Sequence, residues 1–148
     1  MTLTRTPSQT VGPYYAIGLS RRDENVLDPD GIELRGTLFD GRGTPIPDGL
    51  VELWDASGGR WARRGTQDEA GGFRFLVPRD APVLEALVFA RGMLRHERTR
   101  IYLREGDDDV WNGLDDDRRT TLLARRDGDA LVFDIRMQGE GATVFFEH

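Results

Sequence analysis

The amino-acid sequence predicts an all-β protein. We expect a two-sheet β-sandwich with an irregular N-terminal arm and at most one short helix. Two observations carry this prediction. At least seven short runs show strand-like alternation of apolar and polar residues, and turn signals rich in Gly, Pro or Asp separate them about every ten residues. The length of 148 residues fits one domain that buries a core without disulfides. No internal repeat or linker interrupts the pattern.

The strands follow from apolar residues that recur at every second position. In GIELRGTLFD, Ile32, Leu34 and Leu38 share one face, and the turn GRGTPIPDG leads to the next run. The run ALVFDIRMQ alternates most cleanly, and the last run follows the turn GEG. The predicted strands cover residues 31–40, 50–56, 71–78, 83–92, 98–105, 120–128, 130–138 and 142–148.

Three of these runs carry additional information. VLEALVFARG is nearly continuous in apolar residues, which is typical of a strand buried on both faces, whereas RTRIYLRE alternates arginine with apolar residues and predicts a half-exposed strand. The acidic, glycine-bearing segment 106–119 predicts a loop with one short helical turn. Residues 120–128 fit either a helix end or a strand, and we favour a strand.

Residues 1–30 form a separate N-terminal arm ahead of a sandwich domain at 31–148. The arm has no strand or helix period, yet it contains an apolar cluster around Pro13 and Tyr14. A long irregular segment with aromatic residues is usually packed on something. We therefore expect the arm to wrap its own sandwich or to cross to a neighbouring subunit.

Composition excludes several classes of function. Twenty arginines and 26 acidic residues give a net charge of −6, which argues against a nucleic-acid partner. No apolar run approaches the roughly 20 residues of a membrane span, and the N-terminus has no signal-peptide-like apolar stretch. The absence of cysteine suits the cytoplasm, where we expect the protein to act.

Histidine is scarce, which restricts metal and nucleophilic chemistry. The chain has two histidines, His96 and the C-terminal His148, and protein metal sites usually need several converging His, Cys or carboxylate ligands. His96, paired with Glu97 or Glu105, is the one candidate general base for an independent enzyme, and an exposed hairpin histidine is the simpler interpretation. The acidic runs 107–109 and 115–117 lack the spacing of a calcium loop.

Four segments of the chain resemble a known family. They are TPSQTVGPYY, RGTLFDGRGTPIPDGLVELWDASGGRW, VFARG with the following HERTRIYL, and VFDIRMQGEGATVFFEH. These segments are similar to the α subunits of the protocatechuate 3,4-dioxygenases, within the intradiol-cleaving non-haem ferric dioxygenases. The TVGP arm and the QGEGATVFF ending carry the resemblance to the α side specifically.

The resemblance implies an assembly of α and β subunits that share one prealbumin-like sandwich fold. Fe(III) is then bound by the β subunit alone, through two tyrosines and two histidines, and this chain binds no cofactor itself. The assembly would insert O₂ between the two hydroxylated carbons of a catechol, converting protocatechuate to 3-carboxy-cis,cis-muconate. A stand-alone, transthyretin-like small-molecule binding protein is the alternative.

The resemblance also places residues of this chain at the partner's iron-ligand positions. Trp61 follows Gly58, Gly59 and Arg60, where the β subunit has a tyrosine, while Val83 and Glu85 stand near its two histidines. The loop that carries the second tyrosine is almost deleted after Val77 and Pro78. No catalytic residue is therefore expected in this chain alone.

By the same resemblance, the chain contributes part of the wall of the partner's substrate pocket. The residues concerned are Thr10, Gly12, Pro13 and Tyr14 of the arm, together with Arg91 of the ARG motif. Glycine permits close approach of the backbone to a ligand, and the guanidinium of arginine suits a carboxylate. The chain is short for the family between Trp61 and Pro82 and around 107–116, so the resemblance does not define the shape of that pocket.

Overall fold

In a computed structural model, the strands of this chain form two β-sheets that pack against each other. The structure describes residues 4–10, 12, 18–19, 21, 24–55, 57, 59–66 and 70–147. Within this part of the chain, no helix is both long and apolar enough to cross a membrane.

The first sheet is built around β1 (Ile32–Phe39), which lies antiparallel to β4 (Gly72–Val77). On its other side, β1 pairs in parallel with β8 (Ala130–Val132) and then with β9 (Ile135–Arg136). The short β7 (Arg125–Asp127) closes the edge beyond β8. Gly36 makes this pairing possible, because a Cβ there would lie 1.7 Å from the carbonyl oxygen of Phe133.

The second sheet is antiparallel throughout, in the order β3-β2-β5-β6. Its strands are β2 (Gly49–Asp55), β3 (Arg60–Gly65), β5 (Val83–Ala90) and β6 (Glu97–Tyr102). The inward residues of both sheets form one core, which includes Leu34, Leu53, Phe73, Val88 and Ile101. The fold class predicted from the alternating runs is thus confirmed.

Two single-turn helices lie after β6, where the sequence predicts one helical turn. They are α1 (Asp109–Asn112) and α2 (Asp116–Thr120). Each begins after an aspartate whose side chain accepts a hydrogen bond from a backbone N–H of the first turn, Asp108 for α1 and Asp115 for α2. The acidic runs of the sequence are therefore helix caps, and Trp111 of α1 packs on Tyr102 in a second small core.

The strand assignments from the sequence need several corrections. The strand β3 was not predicted, and its alternation is weak because Trp61 and Arg63 face outwards from a strand rich in arginine. The predicted strand 130–138 divides into β8 and β9, since the Asp134 carboxylate, and not the backbone, accepts the N–H of Thr37 at 3.0 Å. Of the predicted strand 120–128, residues 125–127 are extended in the sheet.

The predicted final strand, 142–148, is reduced to a single bridge over its described residues. The N–H of Phe146 donates to the carbonyl of Arg98 in the second sheet, and the N–H of Thr143 donates to the carbonyl of Arg136 in the first. Because this tail crosses from one sheet to the other, it cannot extend a ladder in either of them. The tail instead connects the two sheets through these hydrogen bonds.

The strand β5 is buried on one face and half-buried on the other, although its composition predicts burial on both. Its outer face belongs to the exposed side of the second sheet. Residues 24–28, at the end of the predicted arm, pack into the sandwich itself. Leu27 is part of the main core, and its N–H donates to the carbonyl of Leu76 at 2.8 Å.

Candidate functional site

The outer face of the second sheet carries Trp61, Val83 and Glu85, the three residues that the resemblance places near the partner's iron ligands. Strand register places Trp54 directly between Trp61 of β3 and Glu85 of β5. Val83 lies two residues before Glu85, on the same face of β5. Trp61, Val83 and Glu85 thus lie on one face of the second sheet.

Two tryptophans stack on this face and remain exposed. The rings of Trp54 and Trp61 have centroids 5.9 Å apart, and 41% and 46% of the two residues are exposed. The guanidinium of Arg63 lies 5.3 Å from the centre of the Trp61 ring, a cation–π contact. An indole offers no anionic oxygen, so Trp61 cannot act as a phenolate ligand.

Glu85 has the only carboxylate among the three positions, and two arginines already engage it. The Nε of Arg98 lies 3.1 Å from one carboxylate oxygen, and the Nε of Arg100 lies 2.8 Å from the other. The cationic partners of this carboxylate are thus supplied by β6 itself. These residues do not fit an iron centre, because valine and tryptophan cannot ligate iron and the remaining carboxylate is held by guanidinium groups.

The network extends from Arg100 to the cap of α1. Arg100 Nη1 lies 3.4 Å from Asp108 Oδ2, and the Tyr102 hydroxyl donates to the Asp108 carboxylate at 2.9 Å. Burial alone would raise the pKa of Asp108, but hydrogen bonds from Trp111 N–H and from the Tyr102 hydroxyl, with the Arg100 charge, lower it overall. Burial raises the pKa of Tyr102, so its hydroxyl stays protonated as a donor.

Two of the pocket-wall candidates, Thr10 and Arg91, lie close together at the far end of β5. The N–H of Gly92 donates to the Oγ1 of Thr10 at 3.2 Å, which joins the arm to the turn that follows Arg91. The Arg91 side chain is 65% exposed, and one guanidinium nitrogen lies 4.0 Å from Asp48 Oδ2. Most of this guanidinium thus faces outwards, where it can bind a group from another molecule.

Gly12 has a positive φ of 69°, and a Cβ at that position would meet nothing within 4 Å. Glycine is therefore needed for the backbone conformation and not for space in the folded chain. Pro13 and Tyr14, the other two arm candidates, lie outside the described residues.

The turn after β5 borders open cavities. One cavity, of about 180 Å³, is lined by Gln9 of the arm and by Phe89, Leu94 and His96, among others. The ring of His96 packs on that of Phe89, with centroids 5.2 Å apart. Glu97 lines a neighbouring cavity with His96, whereas Glu105 follows the other end of β6. His96 is thus a half-buried hairpin residue in an aromatic contact, and not the exposed histidine that the simpler interpretation expects.

Among the residues that the structure describes, no group of three or more His, Cys, Asp or Glu side chains is arranged to hold a metal ion. Without the resemblance, the sequence contains one signal of this exposed face. It is Trp54, which interrupts the apolar alternation of β2.

Comparison with known proteins agrees with this arrangement. No family model matches the chain. The alpha chain of protocatechuate 3,4-dioxygenase from Burkholderia cepacia is 34% identical over 195 positions, covering 99% of this chain and 98% of the relative. The alpha chain from Pseudomonas putida is 34% identical over 198 positions, covering 98% and 97%. Since this chain has 148 residues, both relatives contain segments that it lacks.

Solved structures confirm the fold. The dioxygenase domain of a carbohydrate-binding fusion protein from Streptomyces sp. SirexAA-E superposes with a TM-score of 0.56 at 20% identity, covering 92% of this chain and 99% of that domain. Catechol 1,2-dioxygenase from Pseudomonas arvilla C-1 superposes with a TM-score of 0.53 at 21% identity, covering 77% and 55%. With two near-full-length relatives at 34% identity, the chain belongs to the alpha-chain family of protocatechuate 3,4-dioxygenase, as a subunit of an intradiol ring-cleaving dioxygenase.

Proposed function

We propose that this chain is the subunit that binds no iron, and that it supports a catalytic β subunit and lines part of that partner's substrate pocket. The absence of an iron site in this chain is supported mainly by the ion pairs of Glu85. Its two carboxylate oxygens are ion-paired with Arg98 and Arg100, and the residues that the resemblance places at the other two ligand positions are a tryptophan and a valine. The partner's Fe(III) would carry out the oxygen insertion.

The second half rests on the contact between the arm and Gly92, the residue that follows Arg91. The Thr10 hydroxyl accepts the N–H of Gly92, so the arm and the arginine form one surface. The described residues 4–10 are all exposed, and Arg91 has most of its guanidinium free of the sheet. A surface of this kind can close over a partner's pocket without rearrangement of the sandwich.

Arg91 is suited to the carboxylate of protocatechuate. A guanidinium forms two parallel hydrogen bonds with a carboxylate, which a lysine ammonium cannot reproduce. The catechol hydroxyls would then point towards the iron of the partner. In this arrangement Arg91 selects and orients the substrate, and the reaction that forms 3-carboxy-cis,cis-muconate takes place on the β subunit.

The test is steady-state kinetics on the complex of this chain with its catalytic partner. Arg91→Ala should raise KM for protocatechuate by about tenfold or more, since a hydrogen bond to a charged group contributes roughly 1.5–3 kcal/mol. Arg91→Lys should recover part of this loss. Arg42→Ala, which removes a guanidinium in the exposed β1–β2 turn, should leave KM unchanged.

Kinetics with catechol, which lacks the carboxylate, distinguish a role of Arg91 in substrate recognition from a role in subunit assembly. If Arg91 binds the carboxylate, Arg91→Ala should change the kinetics with catechol far less than those with protocatechuate. An equal loss with both compounds would remove Arg91 from carboxylate recognition and leave it with a role in assembly.

A further inference from the structure

A cavity of about 270 Å³ lies on the outer side of the first sheet, at the edge formed by β7, β8 and β9. Its lining includes Arg125, Asp134 and Arg136, and the apolar residues Leu123, Val132 and Phe133. Strand register explains the grouping, because Arg125 pairs with Val132, and residues 132, 134 and 136 alternate onto one face. The cavity thus combines two cations, one carboxylate and an apolar wall.

The Arg125 guanidinium is available for a ligand. Among the described residues, no carboxylate lies within ion-pairing distance of it, and its side chain makes no hydrogen bond to them. Arg136 lies with its guanidinium 5.0 Å from the centre of the Phe39 ring, likewise without an ion pair to any described residue. In a chain with a net charge of −6, Arg125, which has no acidic partner among the described residues, makes its side of the cavity a local site for an anion.

Asp134 adds an acceptor beside these cations. One of its carboxylate oxygens, Oδ1, accepts the N–H of Thr37 at 3.0 Å, which fixes the orientation of the group. The carboxylate would repel a simple inorganic anion and would accept a hydrogen bond from a hydroxyl group. The site therefore favours a molecule that carries both a carboxylate and a hydroxyl.

The wall of the cavity supplies a further donor. Thr143 is 4% exposed, and its hydroxyl oxygen accepts the N–H of Arg136 at 3.0 Å. The hydroxyl proton has no acceptor among the described residues, so it can donate to a ligand in the cavity. A nearly buried donor of this kind gains from a ligand acceptor, because few other partners can reach it.

From this arrangement we propose that the cavity binds a small hydroxylated organic acid of about the size of a benzoate. Arg125 holds its carboxylate, Asp134 accepts its hydroxyl, and its apolar body packs on Leu123 and Val132. The apolar wall gives preference to a ring or a short hydrocarbon over inorganic phosphate. The proposal concerns residues of this chain alone and does not rest on a partner subunit.

The test is calorimetric titration of the full 148-residue chain with 4-hydroxybenzoate, benzoate, phenol and inorganic phosphate. We expect saturable binding of 4-hydroxybenzoate, weaker binding of benzoate, and no saturable heat with phenol or phosphate. Arg125→Ala should weaken 4-hydroxybenzoate binding by about tenfold or more, because it removes a charged hydrogen-bond donor. Asp134→Asn, whose amide oxygen can still accept the Thr37 N–H, should abolish the preference over benzoate.

Arg126→Ala is the matched control, since it removes the same charge from the neighbouring position of β7, outside the cavity lining. It should bind 4-hydroxybenzoate as the wild type does. The proposal is overturned if the wild type shows no saturable heat with 4-hydroxybenzoate, or if Arg125→Ala binds it unchanged. Phosphate binding as tight as that of 4-hydroxybenzoate would also overturn it, by showing a general anion site.

Discussion

At the scale of single residues, the same arginine-rich composition serves two different purposes. On β6, Arg98 and Arg100 neutralise the carboxylate of Glu85 and so remove a ligand from the outer face of the second sheet. At the end of β5, Arg91 keeps its guanidinium largely exposed. Composition shows that arginine replaces lysine throughout, but the pairing of each guanidinium depends on strand register.

Asp108 offers a residue-scale test, because it caps α1 and also accepts the Tyr102 hydroxyl. Asp108→Ala removes both bonds and should lower the free energy of unfolding by about 1–3 kcal/mol. Asp108→Asn keeps an oxygen for both and should cost less. Urea denaturation at pH 7 measures both differences, and equal losses in the two variants would contradict the assigned roles.

The charge of Asp108 should also appear in the pH dependence. Its folded-state pKa is lowered from the ordinary 3.8, so the stability linked to the charge is present above that value. It is lost as the pH falls through the folded-state pKa. The stability difference between wild type and Asp108→Asn should therefore shrink on going from pH 7 to pH 3, and an unchanged difference would refute this linkage.

At the scale of elements, local alternation predicts the strands whose inward face is apolar and misses the others. The pattern of Ile32, Leu34 and Leu38 identifies β1, whereas β3 is obscured by outward arginines and an exposed tryptophan. The final segment alternates like a strand, yet Thr143 and Phe146 bond to different sheets. That outcome depends on tertiary position, which no local pattern contains. The candidate site depends on the resemblance, since Trp61, Val83 and Glu85 form no sequence pattern that predicts catalysis.

Gly36 tests the parallel pairing of β1 with β8 and β9. A Cβ at this position would lie 1.7 Å from the Phe133 carbonyl oxygen, so Gly36→Ala must push the strands apart. We expect a loss of about 3 kcal/mol or more in the free energy of unfolding, at the upper end of overpacking effects. Thr37→Ala, in the next position of β1, should cost about 0.5–1 kcal/mol. Similar losses from the two substitutions, measured by urea denaturation, would contradict the close approach.

At the scale of the whole molecule, the two sheets share one core, and the described arm residues lie outside it. The core extends from Leu27 to the final segment and does not include the described arm residues 4–10, which are exposed. The fold therefore does not need that part of the arm. We infer that these residues are retained for the assembly.

Deletion of residues 1–10 should accordingly separate folding from function. The truncated chain should unfold at nearly the same urea concentration as the full chain, because none of the described residues 4–10 belongs to the core. Its complex with the catalytic partner should form more weakly or show a raised KM for protocatechuate. A truncated chain that forms a complex with unchanged kinetics would contradict the proposed role of the arm.

The central claim is that this chain belongs to the dioxygenase without carrying its iron, and iron analysis of the separately purified chain tests it most directly. We predict a colourless protein with no stoichiometric iron and no ring cleavage, while its complex with the β subunit is coloured by tyrosinate-to-Fe(III) charge transfer and converts protocatechuate. Stoichiometric Fe(III) in the isolated chain, retained after gel filtration and accompanied by visible absorbance, would contradict the account.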